Sequence, residues 1–331
     1  MRLELFARVA SSAVIVAMLA GCGASAGSGG TPATVAFADR RAGHSWMAPD
    51  TSAQNLLYVT GPCGGICIFS YPGGTLVGEI TDSNSPEREC VDKSGDVFVV
   101  DYGGENGTPG VDEYVHGGTT PIAELNDPGY YPGSCSIDPT AGNLAVSESG
   151  ASGATSVVAI YTDATGDPTN YVDPKIFYMG SCGYDDKGNL FVDGQYDHKG
   201  TFELDEMPAG STDFTRLKLA QAPSDPFDLQ WAGKYVALSA GNGVIDHVKV
   251  VGSKGTLVGT TLLNGKSVGS YAQFWIQGAT IATSYATTSD TYAVGLWNYP
   301  AGGLARKSIG ASEFKDYEPV GVVVSLATAP R

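Results

Sequence analysis

From about residue 55 onward, apolar residues either alternate with polar ones or gather in continuous runs, as in Val97-Phe98-Val99-Val100. Neither pattern has the 3.6-residue recurrence of a helix, so the chain reads as a succession of short strands. Clusters of Gly, Asp, Asn, Ser and Pro separate them and predict turns. One phrase recurs: a short apolar strand, a turn of the D-x-x-G-[DN] type, a second apolar strand, a Gly/Ser/Asp-rich loop, a third strand, a turn and a fourth. It reads CVDKSGDVFVVDYGG from Cys90, CSIDPTAGNLAVSESG from Cys135 and CGYDDKGNLFVDGQ from Cys182, with weaker copies FDLQWAGKYVALSAG from Phe227 and FWIQGATIATSYA from Phe274. The strong copies stand 45 and 47 residues apart, the length of one four-stranded repeat unit.

Five such units fall near 87–125, 133–171, 180–219, 225–263 and 270–309, and a sixth comes first. That first unit offers three strands, near 56–60, 66–71 and 76–80; residues 318–325, EPVGVVVS, supply the missing one from the other end of the chain. The expectation is an all-β, six-bladed β-propeller over residues 55–326, closed by a C-terminal strand pairing into the N-terminal blade, with 327–331 as a tail. Closure of this kind removes the open sheet edges that invite aggregation.

The N-terminus reads differently. Arg2 and Arg8 precede an apolar run over residues 9–20, too short to span a bilayer but of signal-peptide length. The tetrad Leu19-Ala20-Gly21-Cys22 resembles the bacterial lipobox, in which cleavage before the cysteine leaves it to carry acyl chains. Residues 1–21 are therefore expected to be a lipoprotein signal peptide. Cys22 is the expected lipidation site, and Gly/Ala/Ser/Pro-rich residues 22–54 a flexible tether. The resulting location is the bacterial cell envelope, anchored by lipid outside the cytoplasm.

Composition narrows the function. Hydrophobic residues make up 42% of the 331 and charged residues only 16%, while 45 glycines require frequent turns. Thirty-five acidic against 19 basic residues give a net charge of −16, which repels nucleic-acid phosphates and anionic lipid headgroups alike, excludes nucleic acid as a partner and leaves the lipid anchor, not surface contact, to hold the chain to a membrane. Besides Cys22 there are five cysteines; Cys63 and Cys67 bracket a Gly-Gly-Ile turn and are expected to close a small disulfide loop. Cys90, Cys135 and Cys182 fall on leading strands of the repeat. Cys135 and Cys182 precede the turn Asp by three residues and Cys90 by two, which either turns Cys90 to the opposite face or sets it beside a bulge.

The phrase VDKSGDVFVVDYG looks like an NHL repeat. The whole chain resembles the six-bladed NHL-repeat and gluconolactonase-like propellers, as in bacterial propeller lipoproteins. Gluconolactonase-like propellers hold a divalent metal over the central channel with Glu, Asn and Asp, so the resemblance implies a metal site among Glu87, Glu89, Asp228 and Glu318. Hard carboxylate oxygens suit Ca²⁺ or another divalent metal; no Asn stands in an equivalent position.

No nucleophile elbow, phosphate loop, zinc-binding HExxH or CxxC pair is present. His44, His116, His198 and His247 fall in the tether, a turn, a loop and a third strand, too dispersed for one site. Asp92, Asp138 and Asp185 open tight turns, where Asp caps local backbone N–H groups. Aromatic residues, in contrast, recur where the chain passes from blade to blade (Tyr130, Tyr131, Phe177, Tyr178, Tyr271, Tyr317) and in the loops after second strands (Tyr102, Tyr196, Tyr285). In a propeller both sets emerge on one face, beside Asp225, Asp228 and Glu318. Trp231, Trp275 and Trp297 are expected in the core between blades. Two functions follow: a binding or scaffold module taking a glycan, peptide or protein on the tyrosine- and acid-lined face, or a metal-dependent lactonase-like hydrolase or lyase using the mouth carboxylates.

Overall fold

The computed structural model describes residues 44–328, apart from 82, 84, 104–107, 151–154, 197–199, 224–226, 267, 270–271, 289–290 and 315–316. The signal segment, Cys22, Asp225 and Tyr271 lie outside the described residues. The chain divides into two units, Met1–Ala42 and Gly43–Arg331, and every described residue belongs to the second.

The structure is all-β, its described helical elements being single 3₁₀ turns. The repeat phrase becomes an antiparallel four-strand meander. The second sheet runs Pro86–Val91, Val97–Asp101, Gly110–Tyr114 and Ala123–Leu125; the third runs Tyr130–Ile137, Leu144–Gly150, Val157–Tyr161 and Thr169–Tyr171. The fourth runs Tyr178–Tyr184, Leu190–Gln195, Phe202–Met207 and Thr215–Arg216. In the first sheet, Val322–Ser325 lies antiparallel to Leu56–Thr60, with Leu57 opposite Val324 and Val59 opposite Val322; Ile66–Ser70 and Leu76–Ile80 follow. Trp46 and Met47 add a fifth strand against Glu79 and Gly78, so part of the span expected to be tether, 22–54, is built into the sheet.

The last two repeats are joined where separate sheets were expected. One nine-stranded sheet holds the meanders over 229–264 and 274–309, bridged by a short parallel pairing of Leu263 with Gly303 and Asn264 with Leu304. Gly302 permits the approach. A Cβ there would stand 2.3 Å from the Leu262 carbonyl oxygen, and its φ of +67° is one that only glycine adopts freely.

Asp at the turn works as a cap. The carboxylate of Asp92 accepts the N–H groups of Ser94 and Asp96 at 2.8 Å, that of Asp138 accepts Thr140, and that of Asp185 accepts Lys187 and Asn189. Leading strands, in contrast, are bulged: register shifts fall between Pro86 and Glu89 and between Met179 and Cys182. A bulge frees backbone N–H groups, and side chains of the second strands catch them: Ser147 accepts from Ser134 and Asp193 from Ser181, as Thr60 accepts from Gly321 just ahead of Val322–Ser325.

Each leading strand packs beside the next along the chain, and Val322–Ser325 packs against both Pro86–Val91 and Phe274–Gln277. Side chains stitch these neighbours in place of backbone ladders. Ser134 and Ser136 accept the N–H groups of Cys182 and Tyr184 at 3.0 Å. Asp228 and Gln230 accept those of Phe274 and Ile276, and Gln273 takes Glu89 and Val322. Among the described residues an apolar cluster fills each junction between consecutive strand sets, and another joins the last to the first through Ala282, Val294 and Leu296 against Leu57, Val59 and Phe69.

Cys63 and Cys67 form a disulfide. A second links Cys90 to Cys135 across the second and third leading strands, with Cα atoms 5.7 Å apart and 45 residues between them. The one-residue offset of Cys90 relative to the turn Asp makes this pairing possible, because it points Cys90 towards the third sheet. Cys182 is free and buried. Replacing both Cys90 and Cys135 by Ser should lower stability by about 4 kcal/mol, the loop-closure entropy of a ring this size. Urea unfolding of the double variant measures it, and a loss below about 1 kcal/mol would mean that the bond does little to restrict the unfolded chain.

Candidate functional site

Constant residue offsets in the stitching, Ser134 to Cys182 and Ser136 to Tyr184, Asp228 to Phe274 and Gln230 to Ile276, show that neighbouring leading strands run parallel. Their starts therefore gather at one end of the molecule and their ends at the other, and each end offers a different chemistry.

At the starting end stand exposed aromatics. Tyr130 lies opposite Gly150, Tyr131 opposite Ser149 and Tyr178 opposite Gln195; Tyr102 and Tyr196 follow directly on second strands. Tyr102 is 39% exposed and Tyr178 46%; Tyr131, Phe177, Tyr196 and Tyr317 are exposed too, and Tyr130 is half-buried. Tyr102 and Tyr178, which come from the second and fourth sheets, lie close enough to interact electrostatically. The Tyr102 hydroxyl has its pKa raised by burial first, then by Glu87 and Tyr178, and lowered by Arg88. Glu87 has its carboxyl pKa raised by burial, against the pull of Arg88. Tyr285, expected in the same set, is instead fully buried and packs edge-on against Trp297. It sits inside the long strand Thr280–Thr288 and not on the loop that follows.

Beneath this rim the polar groups are buried. The Asp193 carboxylate accepts the backbone N–H and hydroxyl of Ser181 at 2.6 and 2.9 Å; burial raises its pKa to about 6, while those bonds and Arg88 hold it down. Asp228 is raised to about 7 by burial, opposed by Arg88 and by the Phe274 N–H at 2.8 Å. Arg88 is thus the cation to which Glu87, Tyr102, Asp193 and Asp228 all respond. Alternation from Cys90 does not assign its face, because the register shift between Pro86 and Glu89 breaks the count at Arg88.

The expected mouth carboxylates do not assemble. Glu318 is exposed beside Gly269, Glu87 is half-buried near Arg88, and Asp228 pins Phe274. Glu89 is wholly buried, with neither carboxylate oxygen hydrogen-bonded and its pKa raised well above the ordinary range by burial. Among the described residues no group of three or more His, Cys, Asp or Glu side chains is placed to hold a metal ion. These donors do not fit the divalent metal that the resemblance implied, and no chemical step is derived through one.

At the opposite end a cavity of about 220 Å³ opens between the leading strands, walled by Ile137, Tyr184, Trp231 and Trp275, with Asp228 and Cys182 also in its lining. Of the three tryptophans expected between blades, Trp297 is fully buried, while Trp231 and Trp275 are half-buried, packing against the junction clusters with one side on the cavity. The Trp231 ring stacks on Phe191 with centroids 6.1 Å apart.

No family model matches this chain, and no curated protein matches it. Among solved structures it is similar to a chain from the crystal structure of a nidogen/laminin complex, at 13% identity and a TM-score of 0.57, covering 83% of this chain and 100% of that one. At that identity the likeness is one of fold alone, and together with the radial arrangement of small meander sheets it places the chain among the β-propellers.

Proposed function

We propose that this chain is a six-bladed propeller, closed by Val322–Ser325, that works as a lipid-anchored binding or scaffold module outside the cytoplasm. The six-fold reading is supported by the unbroken circuit of leading strands and of apolar clusters. It divides the nine-stranded sheet into two blades at the parallel pairing. Anchoring is supported by the Leu19-Ala20-Gly21-Cys22 tetrad behind its basic and apolar flanks. The observation that carries the function is the exposure of Tyr102, Tyr131, Tyr178 and Tyr196 at one end, where Glu87, Tyr178 and Arg88 all act on Tyr102. Aromatic faces beside a cation and a carboxylate can stack on a sugar or seat a peptide or protein surface, and aromatic anchors carry most of the energy in such contacts. The solved structure it resembles is of a complex between two proteins, in keeping with a propeller that takes a protein partner.

The experiment is capture from solubilised cell envelope with the wild-type chain and with the Tyr102→Ala/Tyr131→Ala/Tyr178→Ala variant. All three side chains are exposed, so folding should be unchanged. A species held by wild type should be retained at least about tenfold less by the variant. Equal retention by both would remove the tyrosine end as the binding face.

A further inference from the structure

The net charge of −16 is unevenly spread. From Lys218 to Ile309 the sequence holds seven Lys and Arg against four Asp and no Glu. This stretch contains the outer strands Val244–Val251, Lys254–Asn264 and Gly302–Ile309 of the nine-stranded sheet. Those strands also carry exposed aliphatic side chains: Val251 is 68% exposed, Leu304 71%, and Leu257, Val258 and Leu262 between 42% and 49%. Lys218, Lys249, Lys254 and Arg306 are exposed among them.

These residues form one strip. Lys218 pairs with Lys254, Leu263 with Gly303, and Leu304 reaches so close over Gly265 that a Cβ there would stand 2.7 Å from it. A monomeric surface rarely leaves so many large aliphatic groups together in water. Flexible lysines interleaved with aliphatic groups match an anionic bilayer, whose headgroups attract the cations while the interface accepts the apolar tips. The strip also lies close to where the described chain begins. Trp46 and Met47 pair on the outer edge of the first sheet, and that sheet's Gly73-Gly74 turn packs on Lys307 and Ile309. Twenty-one residues lie between Cys22 and His44, a reach of at most roughly 80 Å.

We propose that this outer strip docks on an anionic lipid bilayer, holding the propeller down on the membrane to which its N-terminus is tethered. The inference rests on the anchoring reading and adds the orientation: the rim of the last two meanders faces lipid and the tyrosine end stays uncovered. A chain acidic overall can lie against an acidic surface because its cations are gathered on one side.

The test is hydrogen exchange of the full chain in detergent, on phosphatidylcholine vesicles, and on vesicles that also contain phosphatidylglycerol, with intact mass reporting the acyl group. Exchange over residues 254–264 and 302–309 should slow about fivefold or more on the anionic vesicles only. The Lys218→Glu/Lys249→Glu/Lys254→Glu variant, changed only at exposed side chains, should lose that protection. An acylated chain whose strip exchanges at the same rate on all surfaces overturns the docking proposal and leaves the anchor standing. A chain without acyl groups overturns the anchor, and the strip is then judged by the same comparison. Protection on neutral vesicles alone overturns it as well, as does protection without vesicles that deepens with protein concentration, which would mark the strip as a contact between copies of this chain.

Discussion

A chain ending at Pro319 is expected to lose its cooperative unfolding transition. The missing segment contains Val322, Val323 and Val324, each at most 1% exposed, and Ser325, whose hydroxyl meets the Gly95 carbonyl and the His116 ring. Burying three valines contributes roughly 5–9 kcal/mol, comparable to the whole stability of a typical domain. The loss also uncovers Leu56–Thr60 as an apolar sheet edge and leaves the Gln273 side chain without Val322. Val323→Asp, which keeps the chain length, should act in the same direction by burying an unpaired carboxylate against Tyr58. Differential scanning calorimetry reads both variants. A sharp transition within a few degrees of wild type for the truncated chain would mean that the fold does not depend on the pairing of Val322–Ser325 with Leu56–Thr60.

Stability is expected to rise as pH falls from about 9 towards 5, the reverse of ordinary acid denaturation. Buried carboxyls have raised pKa values here: Asp193 about 6, Asp228 about 7, Asp205 about 8 and Glu148 about 9, with desolvation the first cause in each and neighbouring Asp173 and Asp127 adding to the last two. In the unfolded chain the same groups titrate near pH 4. Between those limits the folded protein holds more protons than the unfolded one, so stability declines with each step up in pH until the folded-state pKa is passed. Asp228→Asn keeps an oxygen for the Phe274 N–H and removes the charge. It should raise stability by only about 1 kcal/mol at pH 4.5 and by about 4 kcal/mol at pH 8. Urea unfolding across pH decides the matter; a loss at pH 8 would show that attraction between Arg88 and Asp228 outweighs the cost of burial.

The repeat was legible because its turns are written in chemistry that sequence preserves. Asp92, Asp138 and Asp185 each cap the backbone groups of their own turn, and a local device leaves a local signature. The pairing of Leu57 with Val324 was legible for a different reason: a first unit one strand short and an orphan apolar run at the far end need each other. The fusion of the last two meanders was hidden, since it turns on a two-residue parallel contact made possible by Gly302.

The functional ends were harder to read. Alternation assigns residues to two faces, but bulges between Pro86 and Glu89 and between Met179 and Cys182 shift the count. Asp228 looks from its spacing like a mouth residue, yet its carboxylate turns to the Phe274 N–H. Trp231 and Trp275 look like core throughout and have one side on a cavity. Tyr102 and Tyr178 were accessible to reasoning because both stand just where a strand meets a loop, and loops after second strands and before leading strands share an end.

Closure by the last strand also sets a clock on synthesis. Thr60 waits for Gly321, 261 residues further along, and at ribosomal speeds of about 5–20 residues per second that is on the order of 13–50 s. For that interval the nascent chain displays Leu56–Thr60 without its finishing partner. Any helper that shields the waiting segment must therefore hold it until Val322–Ser325 has been made and can pair with it.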